Sequence, residues 1–198
     1  MYRALLLTPF LLANLLLPCQ TYAQDIPEGT YNLWLAEQPI SGVRLFKARI
    51  AGSAHYGKFD THATLALVCG TGGSKSGVQA ELAVDVRPLA FDTDPYEGPG
   101  ATTSGPVNIT VGVRPPPDKP SISRPVAGFF SDGGPFDTGM PFIFSFRDLP
   151  MKQWVAPAMR GQMLTFTLPS AKPGSPLTFR FLWPEDDTVL KRVVTPCL

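Results

Sequence analysis

Charge is scarce in this chain. Only 17% of its 198 residues are Asp, Glu, Lys or Arg, and the 17 basic side chains nearly cancel the 16 acidic ones. A balance of that kind exerts no long-range pull on a polyanion, so neither nucleic acid nor an anionic lipid surface is an expected partner. Histidine is scarcer still, with His55 and His62 only, and cysteine occurs at Cys19, Cys69 and Cys197. No serine stands in a Gly-x-Ser-x-Gly elbow, which removes one familiar hydrolase nucleophile. No apolar run reaches the ~20 residues needed to span a bilayer.

The longest such run, Ala4 to Leu17, follows Arg3 and leads to Thr21-Tyr22-Ala23. A basic start, an apolar middle and small residues before a cleavage point predict a signal peptide over 1–23, with the mature chain beginning at Gln24. Acylation at Cys19 is the competing reading. It requires a small residue before the cysteine, and Pro18 stands there instead. Cleavage removes Arg3 and Cys19, leaving a formally neutral mature chain with two cysteines in an oxidising compartment. A Cys69–Cys197 disulfide is therefore expected in the exported chain, with no membrane insertion after signal removal. Closing so long a loop contributes at most ~5 kcal/mol in the chain-entropy picture.

The mature length of about 175 residues suits one domain, 24–198. The 22 prolines and 18 glycines of the full chain cluster between short apolar runs, the punctuation of an antiparallel β-sandwich-like domain with one or two short helices. The central strand is Thr61 to Gly70: Leu65, Leu67 and Cys69 share one face, while Thr64, Ala66 and Val68 share the other. Both faces are suited to packing. After the glycine-rich connection "GTGGSKSG", Val78 to Val86 pairs with it antiparallel, turning Ala80, Leu82, Val84 and Val86 inward and Gln79, Glu81, Ala83 and Asp85 outward.

Further strands are expected at Tyr31–Ala36, Val43–Ile50, Val107–Val113, Val126–Phe130, Pro141–Phe146, Met163–Leu168 and Leu177–Leu182. In the first, Tyr31, Leu33 and Leu35 alternate with Asn32 and Trp34. Ala51 to Asp60, "AGSAHYGKFD", reads as a loop, and Arg114 to Pro125 as an extended crossover or sheet-edge segment, a rigid proline-rich connector. Leu149 to Met159 suits a short helix. So does the segment after Pro184, where Glu185, Asp186 and Asp187 favour the start and Lys191 and Arg192 the end.

Four constellations could carry chemistry. Two histidines and a carboxylate at His55, Asp60 and His62 would suffice for a metal-dependent hydrolase, but the spacing matches no metal motif and the reading prefers surface histidines. Phe136-Asp137-Thr138-Gly139 matches an aspartic protease loop without a proper second loop, which leaves a tight turn as its use. Asp92, Asp94 and Glu97 fall short of a calcium loop. The fourth is aromatic: Phe129, Phe136 and their neighbours lie among glycines, with Asp132 and Asp137 beside them. Such a loop fits a protein partner, with Phe129, Asp132, Phe136 and Asp137 as the binding residues. No cofactor is expected.

Three segments together resemble a family: "ATLALVC", its hairpin partner "VQAELAVDV", and the closing "GQMLTFTLPSAKPGSPLTFRFLWPEDDTVLKRVVTPC" are similar to the periplasmic type VI secretion accessory proteins of the VasI type. The resemblance implies a small, disulfide-closed, β-rich periplasmic module without catalytic residues. In that setting the expected function is an immunity protein that binds and blocks a periplasm-directed effector. An envelope binding or assembly factor is the alternative, and the hydrolase using His55 and His62 a further one.

Overall fold

The computed structural model describes residues 33–37, 45–70, 77–98, 105–112, 121–132 and 140–198. The expected signal peptide, the glycine-rich connection at 71–76, most of the proline-rich connector, and both Phe136 and Asp137 lie outside the described residues.

Ten strands occur among them. In chain order they are β1 (Leu35–Glu37), β2 (Leu45–Tyr56), β3 (Phe59–Gly70), β4 (Val78–Val84) and β5 (Val107–Val111). β6 (Ile122–Arg124), β7 (Ala127–Phe130), β8 (Phe142–Phe146), β9 (Met163–Leu168) and β10 (Leu177–Leu182) follow. All belong to one sheet in the order β6-β5-β9-β10-β2-β3-β4-β8-β7, with β1 added to β2, and every pairing of named strands is antiparallel. β6 and β7 stand at opposite ends of this path, yet only Pro125 and Val126 separate them in the chain. Three Cα steps from Arg124 to Ala127 span ~11 Å at most, so the sheet must curl until its ends meet. The expected two-layered β architecture is thereby realised by one curled sheet whose inner faces pack on each other.

Ring contacts record that packing: Phe144 of β8 meets Phe179 of β10 at 5.9 Å, and Phe146 meets Phe166 of β9 at 5.6 Å. The inner residues alternate as period two requires, with Leu65, Leu67 and Cys69 on β3 and Ala80, Leu82 and Val84 on β4 all buried. Each large inward side chain contributes about 1.5–3 kcal/mol of burial energy.

The segment Ala51 to Asp60 is not a loop. β2 continues to Tyr56, turns through Gly57 and Lys58, and returns as β3 from Phe59. Gly57 has φ 64°, the value required at the first central position of a tight hairpin turn with glycine there. Small residues belong on this stretch because β10 covers it. A Cβ on Gly52 would lie 2.3 Å from the Arg180 carbonyl oxygen and 2.4 Å from the Phe181 ring. At Gly128 on β7 the Phe142 ring takes the same place, 2.2 Å from a notional Cβ.

The first strand also differs from its sequence pattern. Pairing of Leu35 with Arg49 turns Leu33 and Leu35 outward, while Trp34 is buried with its ring 5.0 Å from Trp183. Trp154 completes the cluster at 5.7 Å from Trp183. Two short helices are present, α1 (Met151–Trp154) and α2 (Thr188–Val194), and none among the described residues is long and apolar enough to cross a membrane. α2 starts four residues later than Pro184, and it packs Leu190, Val193 and Val194 against the first three strands. A final turn, Thr195–Cys197, carries Cys197 to Cys69, where the two bond with their Cα atoms 5.8 Å apart at a sequence separation of 128.

Candidate functional site

β7 and β8 form a hairpin at one end of the sheet. Its register sets Phe129 opposite Ile143 and Phe130 opposite Phe142, and beyond the strands the Ser131 amide donates to the Pro141 carbonyl at 3.0 Å. Phe130 leans edge-on against the buried Phe142 at 5.0 Å. Gly128 admits that ring where any side chain would collide with it, so the strand beneath the two phenylalanines is fixed by packing. Above this support Phe129 is 48% exposed, Phe130 46% and Met140 55%, a concentration of accessible apolar surface on one hairpin. Asp132 is exposed at the same end.

Of the four expected partner-binding residues, the structure therefore places Phe129 and Asp132 on this hairpin; Phe136 and Asp137 are outside the described residues. Sequence reasoning passed over Phe130 and Met140. Alternation alone sends two adjacent residues to opposite faces, and it did not show that the inward Phe130 sits at a rim where it stays half exposed.

The histidine cluster has a different geometry. His55 and Asp60 are cross-strand partners, Nδ1 to Oδ1 at 2.8 Å, while His62 faces Ser53. All three candidate metal ligands are exposed, and no group of three His, Cys, Asp or Glu side chains among the described residues is placed to hold a metal. Asp92 lies 3.5 Å from Lys172 and also accepts from the Asp94 amide, and Glu97 accepts from the Thr93 hydroxyl, so two of the calcium candidates are engaged within the protein.

Electrostatics on the sheet's outer face fall into two patterns. On β1, β2, β3 and β4, Arg49 bonds Glu37 and Thr64, Lys47 bonds Glu81 at 2.8 Å, and Gln79 joins Glu81 to Arg147 of the segment after β8. On the other side the register builds two rows. One runs Thr110, Thr165, Arg180, Ser53, His62, and the second Ser123, Asn108, Thr167, Thr178, His55, Asp60.

Two further features bear on chemistry. A cavity of about 440 Å³ lies between the start of β4, the Asp148–Gln153 segment and Cys197–Leu198. Asp187, at the start of α2, is a buried carboxylate bonded by Arg160 at 3.0 Å and Lys191 at 2.9 Å. Burial pushes its pKa up, but the hydrogen bonds and charges of Arg160 and Lys191 outweigh burial and hold it below the ordinary value. Asp85 is also lowered, chiefly by its bond from Arg87.

The fold and surface define a disulfide-closed, mainly β protein with an exposed aromatic hairpin. No protein-family model matches the chain, and comparison with curated proteins and with solved structures finds no match.

Proposed function

We propose that this chain is an exported, non-enzymatic protein-binding module that acts in the periplasm as an immunity protein, docking on a type VI secretion effector and blocking it. The observation that carries the reading is the β7–β8 hairpin, where Phe129 and Phe130 stand exposed on a strand pinned by Gly128 and Phe142, with exposed Met140 just before β8. Aromatic anchors on a rigid support lose little conformational entropy on binding, and they supply most of the energy in protein interfaces. Asp132 beside them suits a basic rim. The signal-peptide pattern and the resemblance to VasI-type accessory proteins supply the compartment and the setting.

Binding to a periplasm-directed type VI effector tests the proposal. Phe129→Ala combined with Asp132→Ala is expected to weaken binding at least a hundredfold while Tm changes little. Full binding by that variant removes the hairpin from the interface. Binding to a structural component of the secretion apparatus, with no affinity for the effector, selects the assembly-factor reading.

A further inference from the structure

From the surroundings of the Cys69–Cys197 bond we infer that it is a one-sided thiol-exchange site, at which Cys197 takes the incoming thiolate and Cys69 is the group released. The two sulfurs sit in different media. Cys69 on β3 has no accessible surface, and Val78, its partner across the sheet, is buried as well. Cys197 is only partly buried. It lines the cavity of about 440 Å³ together with Val78, Leu149, Met151 and Gln153. A cavity of that volume falls within the range of small-molecule sites. Exchange requires the attacking sulfur to reach one sulfur of the bond and drive the other out. A sulfur without accessible surface is not open to that approach in the folded protein, whereas the cavity seats a small thiol beside Cys197.

The step balances with a thiol as its only co-reactant. The thiolate bonds to the Cys197 sulfur, the Cys69–Cys197 bond breaks, and its electron pair leaves on Cys69, which takes a proton. A second thiol then displaces the first from Cys197, so a small dithiol completes the two-electron reduction and is itself oxidised to a disulfide. The fold makes the second thiol necessary. β3 holds Cys69 beside the mixed disulfide, and α2, with Leu190, Val193 and Val194 buried, holds the last turn over it. Kept so close, Cys69 returns to Cys197 and reseals the bond against a monothiol. A dithiol leaves the bond open and frees the turn Thr195–Cys197 from β3.

Peptide mapping after partial reduction tests this on the folded full chain. Mercaptoethanol is added in native buffer, exchange is stopped with acid, freed thiols are labelled with N-ethylmaleimide after denaturation, and mixed disulfides are located by mass spectrometry. The adduct is expected on Cys197 and the maleimide on Cys69, at least tenfold over the reverse arrangement whatever the total yield. Dithiothreitol is expected to open the bond at a rate proportional to its concentration and flat through low urea, the mark of attack on the native state. Gln153→Trp, which sets an indole at the cavity, is expected to slow that opening at least threefold. Adducts shared evenly or centred on Cys69, an opening rate that climbs with urea as steeply as global unfolding, or a folded Gln153→Trp variant that opens at the wild-type rate overturns the inference. The mapping and the urea series use the wild-type chain and decide the matter should that variant fold poorly.

Discussion

Across the outer face of the sheet, the strands on the two sides of β2 treat charge differently. Toward β3, β4 and β8 the ionic groups bond one another, Lys47 with Glu81 and Arg147 through Gln79, and β1, on the other edge of β2, adds the Glu37–Arg49 pair. Toward β10, β9 and β5, hydroxyls and an amide surround Arg180, and the His55–Asp60 pair lies at the border. In the first half a partner would have to break existing bonds before making its own. In the second half Thr165, Thr167, Thr178, Ser53 and Arg180 have no such bonds with described residues to break, while Asn108 accepts from the Ser123 hydroxyl. A surface satisfied by its own side chains stabilises the fold modestly and resists docking, while a surface satisfied by solvent is open to a ligand.

The largest expected effect breaks the closure that holds the paired half. α2 packs on β1, β2 and β3 and is tied to β3 by Cys69–Cys197. Cys197→Ser is expected to cost ~2–5 kcal/mol, read as a fall in the denaturant midpoint; an unchanged midpoint would show that α2 docks without the bond. Next comes the seam between the halves. Gly52→Ala places a methyl against the Arg180 carbonyl and the Phe181 ring, and a loss near 3 kcal/mol is expected from such overpacking. The same variant should disturb amides of β10 more than those of β4.

A smaller effect sharpens the comparison through pH. Asp187, held below the ordinary carboxylate value by Arg160 and Lys191 in spite of its burial, stabilises the fold above its unfolded pKa, and that contribution is lost as pH falls through the lower folded value. Asp85 acts in the same direction. Acid titration of Tm should therefore show a steep limb below about pH 4, and Asp187→Asn should make it shallower. The smallest effects belong to exposed pairs: His55→Ala/His62→Ala is expected to change stability by less than ~1 kcal/mol and to leave effector binding intact. Binding or activity lost with these imidazoles, together with a stoichiometric metal in the wild type, would favour the hydrolase.

Local alternation made β3, β4 and their two faces legible, because the signal lies within each strand. The Cys69–Cys197 pairing was legible on the expectation that Cys19 belongs to a signal peptide. What was missed depends on distant partners. "AGSAHY" looked like a loop until Phe181, far along the chain, was found filling the space its small residues leave. Trp34 faces inward because Trp183 receives it, and Asp187 is buried because Arg160 reaches it. The site divided in the same way. Phe129 and Asp132 stood out by composition, whereas Phe130, Met140 and the rows around Arg180 emerge only from strand register and burial.

Amide hydrogen exchange on the complex with the effector addresses the binding surface most directly. The account predicts new protection at Phe129, Phe130, Ser131, Asp132 and Met140, with little change at the amides of β2 and β4 bearing Lys47 and Glu81. Protection centred on Lys47 and Glu81, with the β7–β8 hairpin exchanging as in the free protein, would contradict it.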